Sequence, residues 1–254
     1  MTLTGLISRL KYYWYHKYIF NITNTKFDIS YLVFCQSHLH DQYGIRQFLD
    51  EIGSAEKLLF VDIGRNHGLV FYYTLYHIMR VGFPVREIEY YGIEPAPLKF
   101  VYFNFHKFLM QAGIRVNYHI IDRAVVFDGE THVALRYGES NFGNFNVSGS
   151  KYWLANEHKQ SQFECVELDV ETIAFSEVMQ IIADNRDCNP VIVKIDCKNR
   201  TDYIFSEVVK ELSKRSVHYL VSCERDGSID GDMSAYIKPG YNVLTAKHAQ
   251  CQQA

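Results

Sequence analysis

The stretch FVDIGRNHGLV, residues 60–70, joins an apolar run to a long aromatic segment through two glycines. The residues from Leu58 to Asp62 are typical of a buried strand, and those after Gly68 are typical of a helix. Glycine at such a turn lets the backbone approach a ligand closely, and the start of the helix offers unpaired N–H groups. The stretch therefore predicts a ligand-binding turn in an α/β domain.

The composition indicates a globular domain. The chain has 254 residues, of which 48% are hydrophobic and 22% are charged, so it can form a sizeable core. The net charge of −3 gives no argument for a nucleic-acid partner. No run of about 18 apolar residues occurs, so no membrane span is expected. The scattered cysteines form no C-x-x-C pair and no secretory signal is recognised, which favours a cytoplasmic protein without a zinc site.

Strands and helices alternate along the rest of the chain. The predicted strands cover 58–63, 87–95, 115–126, 131–137, 163–170, 190–197, 217–223 and 241–246, and the predicted helices cover 41–54, 68–80, 98–112, 171–185 and 201–214. This alternation is typical of a mainly parallel sheet with helices on both faces. No linker divides the chain, so we expect a helical N-terminal segment over 1–54, packed on one domain over 55–254. A Gly- and Asn-rich loop at 138–150 is the expected variable substrate region.

The N-terminal twenty residues combine basic and aromatic side chains, including Arg9, Lys11 and Trp14. Two interpretations stay open. The segment is a helix packed on the domain or on a partner, or it is an interfacial helix that makes peripheral contact with a membrane.

Acidic residues stand at the ends of the predicted strands. Ligands of such sheets bind at the carboxyl ends of the strands, near the point where the strand order reverses. The first strand ends in Asp62, the second in Glu94 and the third runs into Asp122, while the fourth ends in Lys194 and Asp196. An acidic set of this kind disfavours a pyrophosphate and suits a cationic ligand.

Glu94 closes the second predicted strand, where a carboxylate can accept both hydroxyls of a ribose. The dinucleotide spacing G-x-G-x-x-G and the phosphate loop G-x-x-x-x-G-K-[ST] are both absent. S-adenosylmethionine combines a ribose with a sulfonium and an ammonium group. On this interpretation Asp62 acts on the amino-acid end through water or backbone, and the turn from Gly64 to Gly68 lies against the methionine portion.

Four motifs occur in order: D-I-G-x-N-x-G at 62–68, I-E-P-x-P-x-x-F at 93–100, R-A-V at 123–125 and V-K-I-D at 193–196. Together they resemble the FkbM-type family of S-adenosylmethionine-dependent methyltransferases. The resemblance implies a Rossmann-like methyltransferase fold with a mainly parallel seven-stranded sheet. It also implies methyl transfer to a hydroxyl of a sugar, a glycan or another small natural product.

The resemblance extends to individual positions. The cofactor-binding residues that it implies are Asp62, Gly64, Asn66, Gly68, Glu94, Asp122 and Ala124, with Asp122 near the adenine. Asp196 has two roles open, as general base for the acceptor hydroxyl or as metal ligand. Lys194 lies two residues earlier on the same strand face and is the expected charge partner of Asp196 in catalysis. No metal site is predicted elsewhere.

Two departures from the family pattern bear on function. Arg65 and His67 replace a small and an aliphatic residue, and the turn still forms if their side chains point away from the ligand. Lys198 and Asn199 replace an acidic residue and a glycine after the fourth strand. Lys198 either binds an anionic acceptor or marks an inactive site. Two alternatives to an active methyltransferase stay open: a methyltransferase-fold scaffold module without catalysis, and a nicotinamide-dependent oxidoreductase, which the missing third glycine disfavours.

Overall fold

The computed structural model describes residues 41, 43–65, 68–95, 113–127, 129–138, 146–147, 165–196, 201–224, 236–238 and 241–246. Several predicted features lie outside the described residues: the segment before Asp41, the helix over 98–112, most of the loop over 138–150, and Asn66, His67, Lys198 and Asn199.

The first half of the described chain contains α1 (Ile45–Ile52), β1 (Lys57–Ile63), α2 (Leu69–Val81), β2 (Glu87–Ile93), β3 (Arg115–Ile121), β4 (Ala124–Val126), β5 (His132–Gly138) and β6 (Asn146–Val147). The second half contains β7 (Cys165–Ala174), α3 (Phe175–Asp184), β8 (Val191–Ile195), α4 (Thr201–Leu212), β9 (Tyr219–Glu224), β10 (Tyr236–Lys238) and β11 (Tyr241–Ala246).

The main sheet has five parallel strands in the order β3-β2-β1-β8-β9. The antiparallel strands β11 and β10 continue it beyond β9. The chain moves outward from β1 to β3 and later returns to the other side of β1 at β8, so the strand order reverses between β1 and β8. The predicted α/β class with a mainly parallel sheet is confirmed.

Helices cover both faces of this sheet. Since side chains alternate along each strand, successive residues of β1 pack against different helices. On one face Leu58 and Phe60 of β1 pack in a cluster with residues of α1 and α2. On the other face Leu59 and Val61 pack with residues of α3 and α4. Asp62 of β1, Tyr90 of β2 and Lys194 of β8 are polar residues at the carboxyl ends of these strands. Because side chains alternate along a strand, all three lie on the same face as Phe60, the face that α1 and α2 cover. No described helix is long and apolar enough to cross a membrane.

A smaller sheet, in the order β4-β7-β5-β6, corrects two sequence predictions. The strand expected over 115–126 breaks after Ile121, and β4 leaves the main sheet to pair with β7. The helix expected over 171–185 begins only at Phe175, because the four residues before it continue β7. These residues hydrogen-bond with β4 and β5, and strand pairing on both sides outweighs their helical spacing.

Candidate functional site

The candidate site lies at the carboxyl ends of β1 and β8, the neighbouring strands between which the order reverses. Asp62 of β1 is in register with Lys194 of β8 on one side and with Gly92 of β2 on the other. Parallel pairing of β1 with β8 aligns their carboxyl ends and thereby places Asp62 beside Lys194.

The glycine turn after β1 folds back onto the end of β2. The backbone N–H groups of Gly64 and Arg65 both donate to the carbonyl oxygen of Ile93, at 2.9 and 3.1 Å. Gly64 and Gly68 have φ angles of 74° and 76°, in the left-handed region that side chains disfavour. Gly68 then starts α2 as its N-cap. These conformations explain why glycine occupies both positions.

Lys194 lies at the centre of a buried ionic network. Its Nζ is 3.0 Å from Oδ1 of Asp62 and 3.7 Å from Oδ2 of Asp196, and it donates to the carbonyl oxygen of Gly64 at 2.6 Å. The Lys194 side chain is 2% exposed and that of Asp62 is 0% exposed. Burial lowers the pKa of Lys194, but the attraction of Asp62 and Asp196 outweighs burial and raises it overall. Lys194 therefore stays a cation that ties β8 to the glycine turn.

Both carboxylate oxygens of Asp62 contact protein groups: Oδ1 lies next to Lys194, and Oδ2 next to Tyr90. The hydroxyl of Tyr90 donates to its Oδ2 at 3.1 Å. Burial, together with the negative charge of Asp62, raises the pKa of Tyr90, which keeps this phenol neutral as a donor. Because Asp62 is fully buried, its carboxylate contacts Lys194 and Tyr90 and offers no exposed surface of its own.

Tyr43 is a site residue that the sequence did not suggest. Its hydroxyl donates to Oδ2 of Asp196 at 2.9 Å, and Nζ of Lys194 lies 5.7 Å from the centre of its ring. Asp41 rigidifies this segment, because its carboxylate accepts hydrogen bonds of 3.0 Å from two backbone N–H groups of α1. No local spacing links residues 153 positions apart, so only the fold reveals the contact.

Glu94 and Asp122 lie side by side where β2 and β3 end. The backbone N–H of Glu94 donates to the carbonyl oxygen of Ile121 at 3.0 Å, and the side chain of Glu94 is largely buried. Asp122 accepts a hydrogen bond of 2.6 Å from Nη2 of Arg65. Ala124, also expected at the cofactor, is buried at the start of β4.

Arg65 points inward, toward Asp122, rather than away from the predicted site. Its side chain is 1% exposed and crosses Gly92 of β2. A Cβ atom at position 92 would come within 2.7 Å of Cδ of Arg65 and 2.8 Å of the Tyr90 hydroxyl. The buried guanidinium thus explains why a glycine interrupts an otherwise bulky strand.

Raising the pH should destabilise the fold through Lys194. Its folded pKa lies above the ordinary value of 10.5, so its contribution to the free energy of unfolding is complete below pH 10.5 and is lost as the pH rises through the folded value. Tyr90, whose pKa is also raised, acts with the same sign. Urea unfolding should show stability that is retained up to about pH 10 and falls above it, less steeply in Lys194→Met. An identical slope in that variant would exclude Lys194 as a source.

Within the described ranges, no group of three His, Cys, Asp or Glu side chains is placed to hold a metal ion. Comparison with known proteins found no match to a family model, to a curated protein or to a solved structure.

Proposed function

We propose that the chain is an S-adenosylmethionine-dependent methyltransferase that methylates a hydroxyl of a sugar, a glycan or another small natural product. The observation that carries the proposal is the lysine held between Asp62 and Asp196 beside the glycine turn, at the reversal of strand order. The mainly parallel α/β sheet is compatible with a Rossmann-like fold. The motif resemblance supplies the reaction class.

The donor set fits this cofactor. Three carboxylates, Asp62, Glu94 and Asp196, surround one lysine, and this excess of negative charge suits a sulfonium and an ammonium group. Glu94 would hold the ribose hydroxyls, while the turn that Gly64 begins would lie along the methionine portion. When bound, the cofactor would supply an electrophilic methyl group.

The chain itself would orient the acceptor and take up its proton. The side chain of Asp196 is 28% exposed, which leaves it within reach of an acceptor hydroxyl, whereas Lys194 is buried beneath it. Asp196 would act as general base and accept the proton of the acceptor hydroxyl. Lys194 and Tyr43 would position this carboxylate rather than touch the acceptor.

A cofactor-binding module without turnover is the second candidate, and the same contacts favour it. Lys194 and the Tyr43 hydroxyl both approach Oδ2 of Asp196. Each stabilises the negative charge of the carboxylate, and such stabilisation weakens a general base. Binding of S-adenosylmethionine without methyl transfer to any acceptor would support this alternative.

Glu94→Ala should weaken binding of S-adenosylmethionine by about 1.5–3 kcal/mol, the range for hydrogen bonds to a charged group. Isothermal titration calorimetry on the folded variant measures this loss. Glu87→Ala is the matched control. Glu87 is the first residue of β2, the strand that Glu94 follows, and therefore lies at the amino end of the strand, away from the candidate site. Wild-type affinity in folded Glu94→Ala would contradict the ribose assignment.

A further inference from the structure

Ser222 of β9 carries a hydroxyl group in the protein core, beside the ionic network of the candidate site. The residue is fully buried, and its Oγ has no hydrogen-bond partner in the part of the chain that the structure describes. A buried hydroxyl without a partner destabilises a fold, because it loses its bonds to water and gains none in return. Its presence in a buried strand therefore points to a role other than packing.

Ser222 completes a polar row across three parallel strands. Lys194 of β8 is in register with Asp62 of β1 on one side and with Ser222 of β9 on the other. Side chains of in-register residues on parallel neighbours lie on one face, and such strands are about 4.8 Å apart. The hydroxyl of Ser222 therefore lies on the side of Lys194 opposite to Asp62, at a separation that a small movement of the lysine side chain can close.

The ammonium group of Lys194 holds its third partner only weakly. It donates to the carbonyl oxygen of Gly64 at 2.6 Å, and its Nζ lies 3.0 Å from Oδ1 of Asp62. The remaining contact, with Oδ2 of Asp196, is 3.7 Å long, which exceeds the length of a hydrogen bond. Lys194 can therefore exchange Asp196 for another acceptor without leaving Asp62 or the glycine turn.

A cationic cofactor would favour this exchange. Under the proposed function the acceptor hydroxyl lies at Asp196, and the transferred methyl group must lie beside that hydroxyl. The sulfonium charge would then come close to Asp196 and compete with Lys194 for the same carboxylate. Ser222 offers the displaced N–H group of Lys194 a neutral acceptor, because a serine hydroxyl has two lone pairs.

We propose that Ser222 is a positioning residue that accepts a hydrogen bond from Lys194 when a sulfonium ligand occupies the site, and so leaves Asp196 to the sulfonium. The inference rests on the proposed function. It gives the site a means to favour S-adenosylmethionine over S-adenosylhomocysteine, whose sulfur is uncharged.

The test compares the dissociation constants of these two compounds by isothermal titration calorimetry on the full chain. Ser222→Ala should lower the preference for S-adenosylmethionine about tenfold relative to the wild type, the effect of one hydrogen bond to a charged group. Affinity for S-adenosylhomocysteine should stay the same, because its sulfur does not attract Asp196. Urea unfolding of the ligand-free variant should show an unchanged or higher midpoint, since the removed hydroxyl has no partner among the described residues.

Two further variants separate the hydroxyl from general effects of substitution. Ser222→Thr keeps a hydroxyl on a residue that suits a strand, so it should keep the wild-type preference. Tyr219→Phe is the matched control, because it removes a hydroxyl from a buried residue of the same strand on the opposite face, where Tyr219 packs with residues of α3 and α4. This variant should also keep the preference.

The outcomes distinguish this inference from the proposed function. An unchanged preference in Ser222→Ala, or an equal fall in Ser222→Thr or Tyr219→Phe, would overturn the role of Ser222 and leave the proposed function standing. A lower urea midpoint of ligand-free Ser222→Ala would overturn it as well, because the hydroxyl would then already be bonded without a ligand. Binding of neither compound by the wild type would overturn both.

Discussion

Replacing Lys194 with methionine should lower the free energy of unfolding by about 3–5 kcal/mol, the cost of breaking a buried ion pair on one side. The change leaves Asp62, which has no solvent exposure, without its cation at 3.0 Å. It also removes the hydrogen bond to the Gly64 carbonyl oxygen. Urea unfolding at neutral pH measures the loss.

The double variant Asp62→Asn with Lys194→Met is the control for this prediction. It removes both charges, so it should recover a large part of the lost stability. Lys210→Met provides a second control, because Lys210 pairs with Glu207 on the surface of α4 at 3.6 Å. A loss in Lys194→Met no larger than in Lys210→Met would mean that the buried network does not stabilise the fold.

Asp196→Asn should reduce methyl transfer about 10²- to 10⁴-fold, the usual contribution of a general base. Affinity for S-adenosylmethionine should fall much less than activity, because Asp62 and Glu94 keep the negative charge of the cofactor site. Transfer of a labelled methyl group to a panel of hydroxyl acceptors, with uronic acids and phosphorylated sugars included, measures the effect. Tyr43→Phe, which removes one hydrogen bond to the same carboxylate, should cause a smaller loss.

Asp169→Asn is the matched control, since Asp169 is an exposed carboxylate on β7 in the smaller sheet. Its activity should equal that of the wild type. Full activity of folded Asp196→Asn would remove Asp196 from the mechanism, whichever acceptor is found. If the wild type methylates no acceptor although it binds the cofactor, the module without turnover is the better account.

The mainly parallel sheet, with Asp62 and Lys194 at the carboxyl ends of two of its strands, was predictable from the sequence. Apolar runs ending in polar residues mark buried parallel strands, and parallel pairing brings their carboxyl ends to one edge. The lysine was also expected beside Asp196, because residues two apart on a strand share a face. Local patterns carry this information because each strand end is defined by its own neighbours in the chain.

Contacts between distant segments were not predictable. Tyr43 reaches Asp196 only because α1 packs against the same face of the sheet as the polar strand ends. Arg65 turns inward because Gly92, on the neighbouring strand, leaves room for its side chain. The residues before Phe175 continue a strand because two partner strands bind them. In each case the contact depends on a residue that is distant in sequence, so local periodicity does not indicate it.

Parallel calorimetric titration of the unmodified chain with S-adenosylmethionine and with NAD tests the central claim most directly. The account predicts saturable binding of S-adenosylmethionine at one site per chain and no comparable binding of NAD, because a carboxylate-rich strand edge disfavours a pyrophosphate. Binding of NAD with no heat from S-adenosylmethionine would contradict it.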